Sequence, residues 1–126
     1  MKILTRKQAA LITELAVSRL AKYVKESSLI SLVLGISGGL DSAVMAAIGL
    51  RAIARLQSAG YHCEYVFKFI DVESDPIDLI MARALASKLG FILQEQDLTP
   101  WYMACPDRIP NAVEHIDRVF NGNIKC

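Results

Sequence analysis

A glycine-rich segment in the first third of the chain has the residue types that bind a phosphate chain. It reads Gly35-Ile36-Ser37-Gly38-Gly39-Leu40-Asp41-Ser42 and lies between an apolar run and an alanine-rich stretch. Two consecutive glycines let the backbone turn sharply and let a phosphate approach without a Cβ in the way. The free N–H groups of a following helix turn, together with the helix dipole, then favour a polyanion. The segment therefore predicts a phosphate-binding loop.

The side chains of this loop narrow the choice of ligand. The hydroxyls of Ser37 and Ser42 can add hydrogen bonds to phosphate oxygens. The carboxylate of Asp41 would repel a phosphate directly, so it suits a site in which magnesium bridges the two groups. The loop has neither the Gly-Lys-Ser/Thr ending of a Walker A loop nor the spacing Gly-x-Gly-x-x-Gly. An ordinary strand-to-helix turn is the competing interpretation, and it does not account for the specific pattern Ser-Gly-Gly-x-Asp-Ser.

The hydrophobic pattern around the loop predicts the elements that position it. Apolar residues recur at helical spacing from about Thr5 to Glu26, and Thr5 with Gln8 forms a capping box at the start. Leu29–Ile36 is nearly continuous apolar sequence, which is typical of a central parallel strand covered on both faces. An alanine-rich helix is expected after the loop, from Leu40 to about Gln57.

The rest of the chain predicts two more strands alternating with helices. The predicted elements are a strand over Cys63–Ile70, a helix from Pro76 to Leu89 with Asp75 as its N-cap, a strand over Phe91–Gln94, a loop-like segment over Asp97–Pro110 and a helix over Asn111–Phe120. This alternation predicts an α/β fold with a doubly wound parallel sheet, in which ligands bind at the carboxyl ends of the strands. Three strands leave an unprotected edge, so the sheet is expected to be incomplete.

Length and composition exclude several classes of protein. With 126 residues, a net charge of +1 and 53% hydrophobic residues, the chain suits one domain over residues 1–126. A near-neutral charge argues against a nucleic-acid binder, and no apolar run is long enough to span a membrane. Three separated cysteines without a secretion signal indicate reduced thiols and a cytoplasmic protein.

The segment from Ser37 to Ser42 resembles the SGGxDS pyrophosphate loop of the N-type ATP pyrophosphatases, whose fold is of the adenine nucleotide alpha hydrolase-like kind. In that superfamily the loop holds the β- and γ-phosphates of ATP. A carbonyl oxygen of the substrate attacks the α-phosphorus, and a nitrogen or sulfur nucleophile then displaces AMP.

Within this superfamily, the run from Gly35 to Val44 is especially similar to NAD synthetases, as is the long helix before the first strand. Asn121–Cys126 resembles the start of the Gly-Asn-x-x-(Ala/Cys)-Arg-x-Arg segment of those enzymes. The resemblance implies the N-terminal part of a synthetase domain of the ammonia-dependent kind, expected to be inactive by itself. The segment from Asp71 to Asp78 departs from the family pattern and leaves the adenosine contacts open.

The resemblance implies a function in which ATP drives the amidation of deamido-NAD to NAD through an acyl-adenylate. The implied ATP-binding residues are Gly35, Ile36, Ser37, Gly38, Gly39, Leu40, Asp41 and Ser42, with Mg2+ held at Asp41. No catalytic residue is assigned. Deamido-NAD and ammonia are the implied substrates, and the full-length form is expected to be a homodimer without membrane or nucleic-acid partners.

Two alternatives stay open. A non-catalytic Mg-ATP-binding module would keep the loop and release no AMP. Another ligase of the superfamily, such as a tRNA-modifying enzyme, would need a basic surface and often a Cys-x-x-Cys pair, and this sequence has neither.

Further residues have competing interpretations. Four acidic residues after the second predicted strand suit a second metal site, an ammonium-attracting rim, or a solvated loop: Asp71, Glu73, Asp75 and Asp78. Trp101 and Tyr102 suit either stacking on a nucleobase or anchoring their loop to the core. Arg108 and Arg118 suit either phosphate contacts or plain surface positions. The apolar residues of the last predicted helix suit either a subunit interface or the core of this chain: Val113, Ile116, Val119 and Phe120. The isolated His62 and His115 are expected to be structural or exposed.

Overall fold

The computed structural model describes residues 3–105 of the chain. The predicted helix Asn111–Phe120, the segment Asn121–Cys126 and the candidates Arg108, His115 and Arg118 lie outside the described residues. The elements are α1 (Arg6–Glu26), β1 (Ser31–Gly35), α2 (Leu40–Ser58), β2 (Glu64–Asp71), α3 (Pro76–Leu89), β3 (Leu93–Asp97) and α4 (Thr99–Ala104). The predicted α/β class is confirmed.

The three strands form one parallel sheet in the order β1-β2-β3. Gly35 of β1 pairs with Lys68 of β2, and Asp71 of β2 pairs with Asp97 of β3, so the strands end at the same edge of the sheet. The expectation that the first strand is central and covered on both faces is wrong for residues 3–105. In that range β1 is an edge strand, and its Val33 is 72% exposed.

Helices α1 and α3 begin at the predicted capping residues. The Thr5 hydroxyl accepts a hydrogen bond from the Gln8 N–H at 3.1 Å, and the Gln8 side chain accepts from the Thr5 N–H at 3.0 Å. The Asp75 carboxylate accepts from the Ile77 N–H at 3.0 Å, with Pro76 in the first turn of α3. Because these side chains satisfy N–H groups that a helix leaves without partners, they fix where α1 and α3 begin.

Two clusters of buried side chains form the core on one face of the sheet. One joins α1 to α2 through Val17, Val24 and Ile53, and Arg55 of α2 adds a 2.6 Å ion pair to Glu14 of α1. The other cluster lies under the glycine loop and holds α2 and α3 against the strands through Ile36, Ala46, Phe67, Phe69, Ala82 and Phe91. Phe67 and Phe91 meet edge to face, with ring centroids 5.0 Å apart.

Both crossover helices lie on the same face of the sheet because successive parallel strands are joined by right-handed connections. The side chains of Phe67 and Phe69 point to this face and are buried. Lys68 and Ile70 alternate with them and point to the other face, where Ile70 is 51% exposed. Within residues 3–105 the sheet therefore has one covered face and one open face.

The third strand begins later than the sequence predicted. Phe91 was expected in the strand, but its N–H donates to the Ala86 carbonyl of α3 at 3.1 Å. The next N–H, that of Ile92, donates to the Tyr65 hydroxyl at 3.1 Å. Both N–H groups therefore have acceptors outside the sheet, and the pairing of β3 with β2 begins at Leu93.

The segment predicted as a loop over Asp97–Pro110 contains the short helix α4 over Thr99–Ala104. Pro100 occupies its first turn, where a missing N–H costs nothing. Pro100 therefore lies at a helix start rather than in a loop. None of the helices described in residues 3–105 is long and apolar enough to cross a membrane.

Replacing Asp75 tests the cap that fixes the start of α3. Asp75→Ala removes the acceptor of the Ile77 N–H, so we expect a loss of about 1 kcal/mol in the free energy of unfolding. Asp75→Asn keeps an oxygen in place and is the matched control, with an expected change below about 0.3 kcal/mol. Urea unfolding followed by circular dichroism measures both, and equal losses in the two variants would contradict the capping role.

Candidate functional site

The glycine loop connects the carboxyl end of β1 to the amino end of α2. Gly38 adopts φ +86°, a backbone conformation that favours glycine, and Gly39 is the extended N-cap of α2. No side chain caps this helix, in contrast to α1 and α3. The start of α2 is therefore a helix N-terminus whose N–H groups stay available to an anion.

Gly38 lies directly against the first turn of α3. A Cβ added to Gly38 would lie 2.5 Å from the carbonyl oxygen of Asp78, a backbone atom that cannot rotate away. The loop can follow this path only because Gly38 has no side chain. The predicted need for glycine is explained here by both the backbone conformation and the close approach of α3.

Hydrogen bonds between the two serines close the loop. Ser42 Oγ accepts from the Ser37 N–H at 3.2 Å and donates to the Gly39 carbonyl at 3.2 Å. The two serine hydroxyls are 3.1 Å apart, and Ser37 Oγ accepts from the Gly39 N–H at 3.2 Å. In the part of the chain that the structure describes, four further N–H groups of the loop have no acceptor: those of Gly38, Leu40, Asp41 and Ser42.

Asp41 lies in the first turn of α2 with its side chain exposed. No group of three or more metal-ligating side chains occurs among residues 3–105, so a cation at Asp41 would have at most two ligands from these side chains. Magnesium is commonly held by one or two carboxylates together with phosphate oxygens and water. The donor set at Asp41 fits that mode of binding and does not fit an all-protein metal site.

Lys68 is a candidate residue that the sequence interpretation missed. It is half-buried on β2 beside Gly35, and its carbonyl accepts from the Ile36 N–H at 2.7 Å. It shares with Ser37 a cavity of about 240 Å³ on the open face of the sheet. The signal was present in the sequence, because Lys68 is the one charged residue in the apolar run from Tyr65 to Ile70.

A second cavity of about 340 Å³ lies on the other side of the loop, between α2 and α3. Its lining consists of Gly38, Gly39, Leu40, Ala43, Met81, Ala84, Leu85 and Lys88. Most of this surface is apolar, and the Leu40 side chain at its border is exposed. The loop is thus flanked on one side by a mostly apolar groove with Lys88 in its lining and on the other by a cavity lined by Lys68.

The acidic residues after β2 serve local structure. Asp71 accepts from the Ser74 N–H at 2.8 Å, and Asp75 caps α3. On β3, Asp97 accepts from the Thr99 N–H at 2.9 Å, and hydrogen bonds from Thr99 lower the pKa of the Asp97 carboxyl. Of the competing interpretations of the acidic cluster, the solvated loop with a helix cap is the one these contacts support.

Two further candidates from the sequence, His62 and Trp101, have exposed side chains. His62 is exposed before β2, at the amino edge of the sheet, with Glu64 at 3.4 Å. Trp101 of α4 is 78% exposed, so it does not anchor this segment to the core of the described residues. Stacking of a base on Trp101 or Tyr102 stays a prediction.

Comparisons with known proteins agree with one another. The family model described as NAD synthase matches residues 12–126. The curated NH(3)-dependent NAD(+) synthetase of Pyrobaculum aerophilum is 31% identical over 105 residues, 83% of this chain and 37% of that protein. The curated enzyme of the same name from Methanosarcina mazei is 32% identical over 94 residues, 75% of this chain and 34% of that protein. The chain spans about a third of the length of these relatives.

Solved structures show the same fold. NAD+ synthetase from Burkholderia pseudomallei matches with a TM-score of 0.63 and 26% identity, covering 73% of this chain and 33% of that one. NH3-dependent NAD synthetase from Campylobacter jejuni matches with a TM-score of 0.66 and 20% identity, covering 90% of this chain and 48% of that one. At the lower identity the likeness concerns the fold alone.

Replacing Gly38 tests the close approach of the loop to α3. Gly38→Ala combines a strained φ with a clash against the Asp78 carbonyl, so we expect it to lower the free energy of unfolding by about 3 kcal/mol or more. Gly60→Ala is the matched control, because Gly60 has φ +81° and open space around its Cβ position. Its expected cost is the strain alone, about 1–2 kcal/mol. Equal costs in urea unfolding would show that the contact with α3 does not constrain the loop.

Proposed function

The chain belongs to the NAD synthase family, and from this premise we propose that its glycine loop binds the pyrophosphate part of ATP in an ammonia-dependent NAD synthetase. The observation that carries the proposal is the set of N–H groups without acceptors at the uncapped start of α2. Asp41 at this helix start and Lys68 beside it supply the charges that a magnesium-bound phosphate chain requires.

The proposed reaction has two steps. The nicotinate carboxylate of deamido-NAD attacks the α-phosphorus of ATP, which forms an acyl-adenylate and releases pyrophosphate. Ammonia then attacks the acyl carbon, which forms the amide of NAD and releases AMP. The carboxylate needs this activation because oxide is a poor leaving group, whereas AMP leaves readily.

In this proposal the loop stabilises the leaving pyrophosphate. Negative charge builds on the pyrophosphate oxygens as the bond to the α-phosphorus breaks. The N–H groups of Gly38, Leu40 and Asp41 face this charge from fixed positions, and the dipole of α2 adds to their effect. Lys68 contributes a full positive charge from β2, and no carboxylate among residues 3–105 forms an ion pair with it.

Asp41 is the proposed magnesium ligand. When bound, magnesium would neutralise part of the negative charge on the β- and γ-phosphates. The carboxylate itself repels the phosphate chain and the cation offsets this repulsion, so ATP binding should depend on magnesium more strongly with Asp41 than without it. Gly35, Ile36, Gly39 and Ser42 complete the proposed ATP site as the backbone of the loop and its flanks.

Residues 1–126 are proposed to be the N-terminal part of the synthetase domain. The binding of deamido-NAD and ammonia, the homodimer and the cytoplasmic location are proposals for the whole enzyme. A second candidate function is a Mg-ATP-binding module without turnover, since the N–H groups at the start of α2 account for phosphate binding and not for chemistry on a substrate. AMP release by the full-length protein in the presence of deamido-NAD and ammonium separates the two, because only the synthetase forms AMP.

Calorimetric titration with ATP tests the proposed role of Asp41. The chain should bind ATP in the presence of magnesium, and Asp41→Asn should lower the affinity for Mg-ATP by about tenfold or more. Chelation of magnesium should weaken ATP binding to the wild type and have little further effect on Asp41→Asn.

Glu26→Gln is the matched control for a change of one carboxylate. Glu26 ends α1 before β1 begins, at the amino edge of the sheet, and its one ion pair within residues 3–105 is the exposed 3.9 Å pair with Lys22. Its Mg-ATP affinity should equal that of the wild type. Unchanged magnesium dependence in Asp41→Asn would refute the metal role of Asp41, and absence of ATP binding in the wild type would refute the proposed function of the loop.

A further inference from the structure

The two hydroxyls of the glycine loop have different hydrogen-bonding capacities left for a ligand. A serine hydroxyl donates one hydrogen bond and accepts two. Ser42 Oγ donates to the Gly39 carbonyl at 3.2 Å, accepts from the Ser37 N–H at 3.2 Å, and lies 3.1 Å from Ser37 Oγ. The single Ser42 proton is used within the loop, by the Gly39 carbonyl or by Ser37 Oγ, so Ser42 can donate to a ligand only by giving up one of these bonds.

A phosphate oxygen at neutral pH accepts hydrogen bonds and therefore needs donors. To donate to it, the Ser42 hydroxyl would have to release the Gly39 carbonyl, which lies at the N-cap of α2. Ser37 can turn its proton to a phosphate and give up only the contact between the two hydroxyls. The Gly39 N–H would still donate to Ser37 Oγ, and the Ser37 N–H would still donate to Ser42 Oγ.

We propose that Ser42 is a positioning residue whose hydroxyl holds the loop in its phosphate-accepting shape, while the hydroxyl that contacts the phosphate is that of Ser37. This proposal rests on the proposed function, because it assigns roles within the same pyrophosphate site. Ser42 still contributes to binding through its backbone N–H, which has no acceptor in residues 3–105. The loop is then preorganised by one serine and completed by the other.

Amide hydrogen exchange in the ligand-free chain, measured by NMR, tests the positioning role directly. Ser42→Ala removes the acceptor of the N–H at position 37, so exchange at that amide should become about fivefold faster. Ser42→Thr retains the hydroxyl and should restore slow exchange. Ser37→Ala is the matched control: it keeps the N–H at position 37 bound to Ser42 and should leave its exchange slow.

Titration with magnesium pyrophosphate gives the second readout. Ser42→Ala and Ser37→Ala should both lower the affinity, and Ser42→Thr should restore it. A loss of affinity in Ser42→Ala with unchanged exchange at position 37 would overturn the proposal, since Ser42 would then contact the ligand itself. No change in either readout for Ser42→Ala would overturn it as well.

The wild-type chain supplies a test that does not depend on the folding of any variant. Exchange at position 37 should stay slow when magnesium pyrophosphate binds, because Ser42 keeps its bonds in the complex. Faster exchange on binding would overturn the proposal. If the wild type binds no pyrophosphate, the proposed function fails. The positioning of the loop by Ser42 would still be supported if exchange at position 37 is slow in the free wild-type chain and fast in Ser42→Ala.

Discussion

The contact between the Gly38 backbone and the carbonyl of Asp78 is the constraint from which the site follows. It fixes how closely the loop after β1 approaches the first turn of α3. That turn is placed in its own right by the Asp75 cap and by Pro76, and β2 leads the chain to it. Two crossover units of the fold must therefore be in register for the loop to follow its path to the start of α2.

Strand β2, which lies between β1 and β3, connects this site to the core through its alternating side chains. Phe67 and Phe69 are buried against α2 and α3, and Lys68 between them points to the opposite face. A strand reverses the direction of its side chains at each residue, so the packing of the two phenylalanines determines where the lysine lies. The charge beside the loop is thus positioned by hydrophobic burial on the other face of the sheet.

The sequence was sufficient to predict what depends on local chemistry. The capping residues Thr5 and Asp75 act within a few residues of themselves, and the structure has these helix starts at the predicted places. The glycine loop was recognisable from its residue types, whereas its close approach to Asp78 was not. Within residues 3–105, the edge position of β1 and the late start of β3 depend on contacts with residues distant in sequence. An apolar run such as Leu29–Ile36 shows that a strand can be buried, but it does not show which face other elements cover. The N–H of Ile92 is held by Tyr65, 27 residues earlier, which no local pattern indicates.

The charges around the loop explain why a cation belongs in the proposed site. A triphosphate carries several negative charges, and the start of α2 supplies the equivalent of about half a positive charge. Among residues 3–105, Lys68 adds one positive charge, Asp41 removes one and Lys88 lines the groove on the other side of the loop, so these residues leave much of the phosphate charge uncompensated. In the proposed site the N–H groups would orient the phosphate chain, and the remaining positive charge would have to come with the ligand. Magnesium held at Asp41 would supply it, and the carboxylate would then favour the magnesium-bound form of ATP over the free nucleotide.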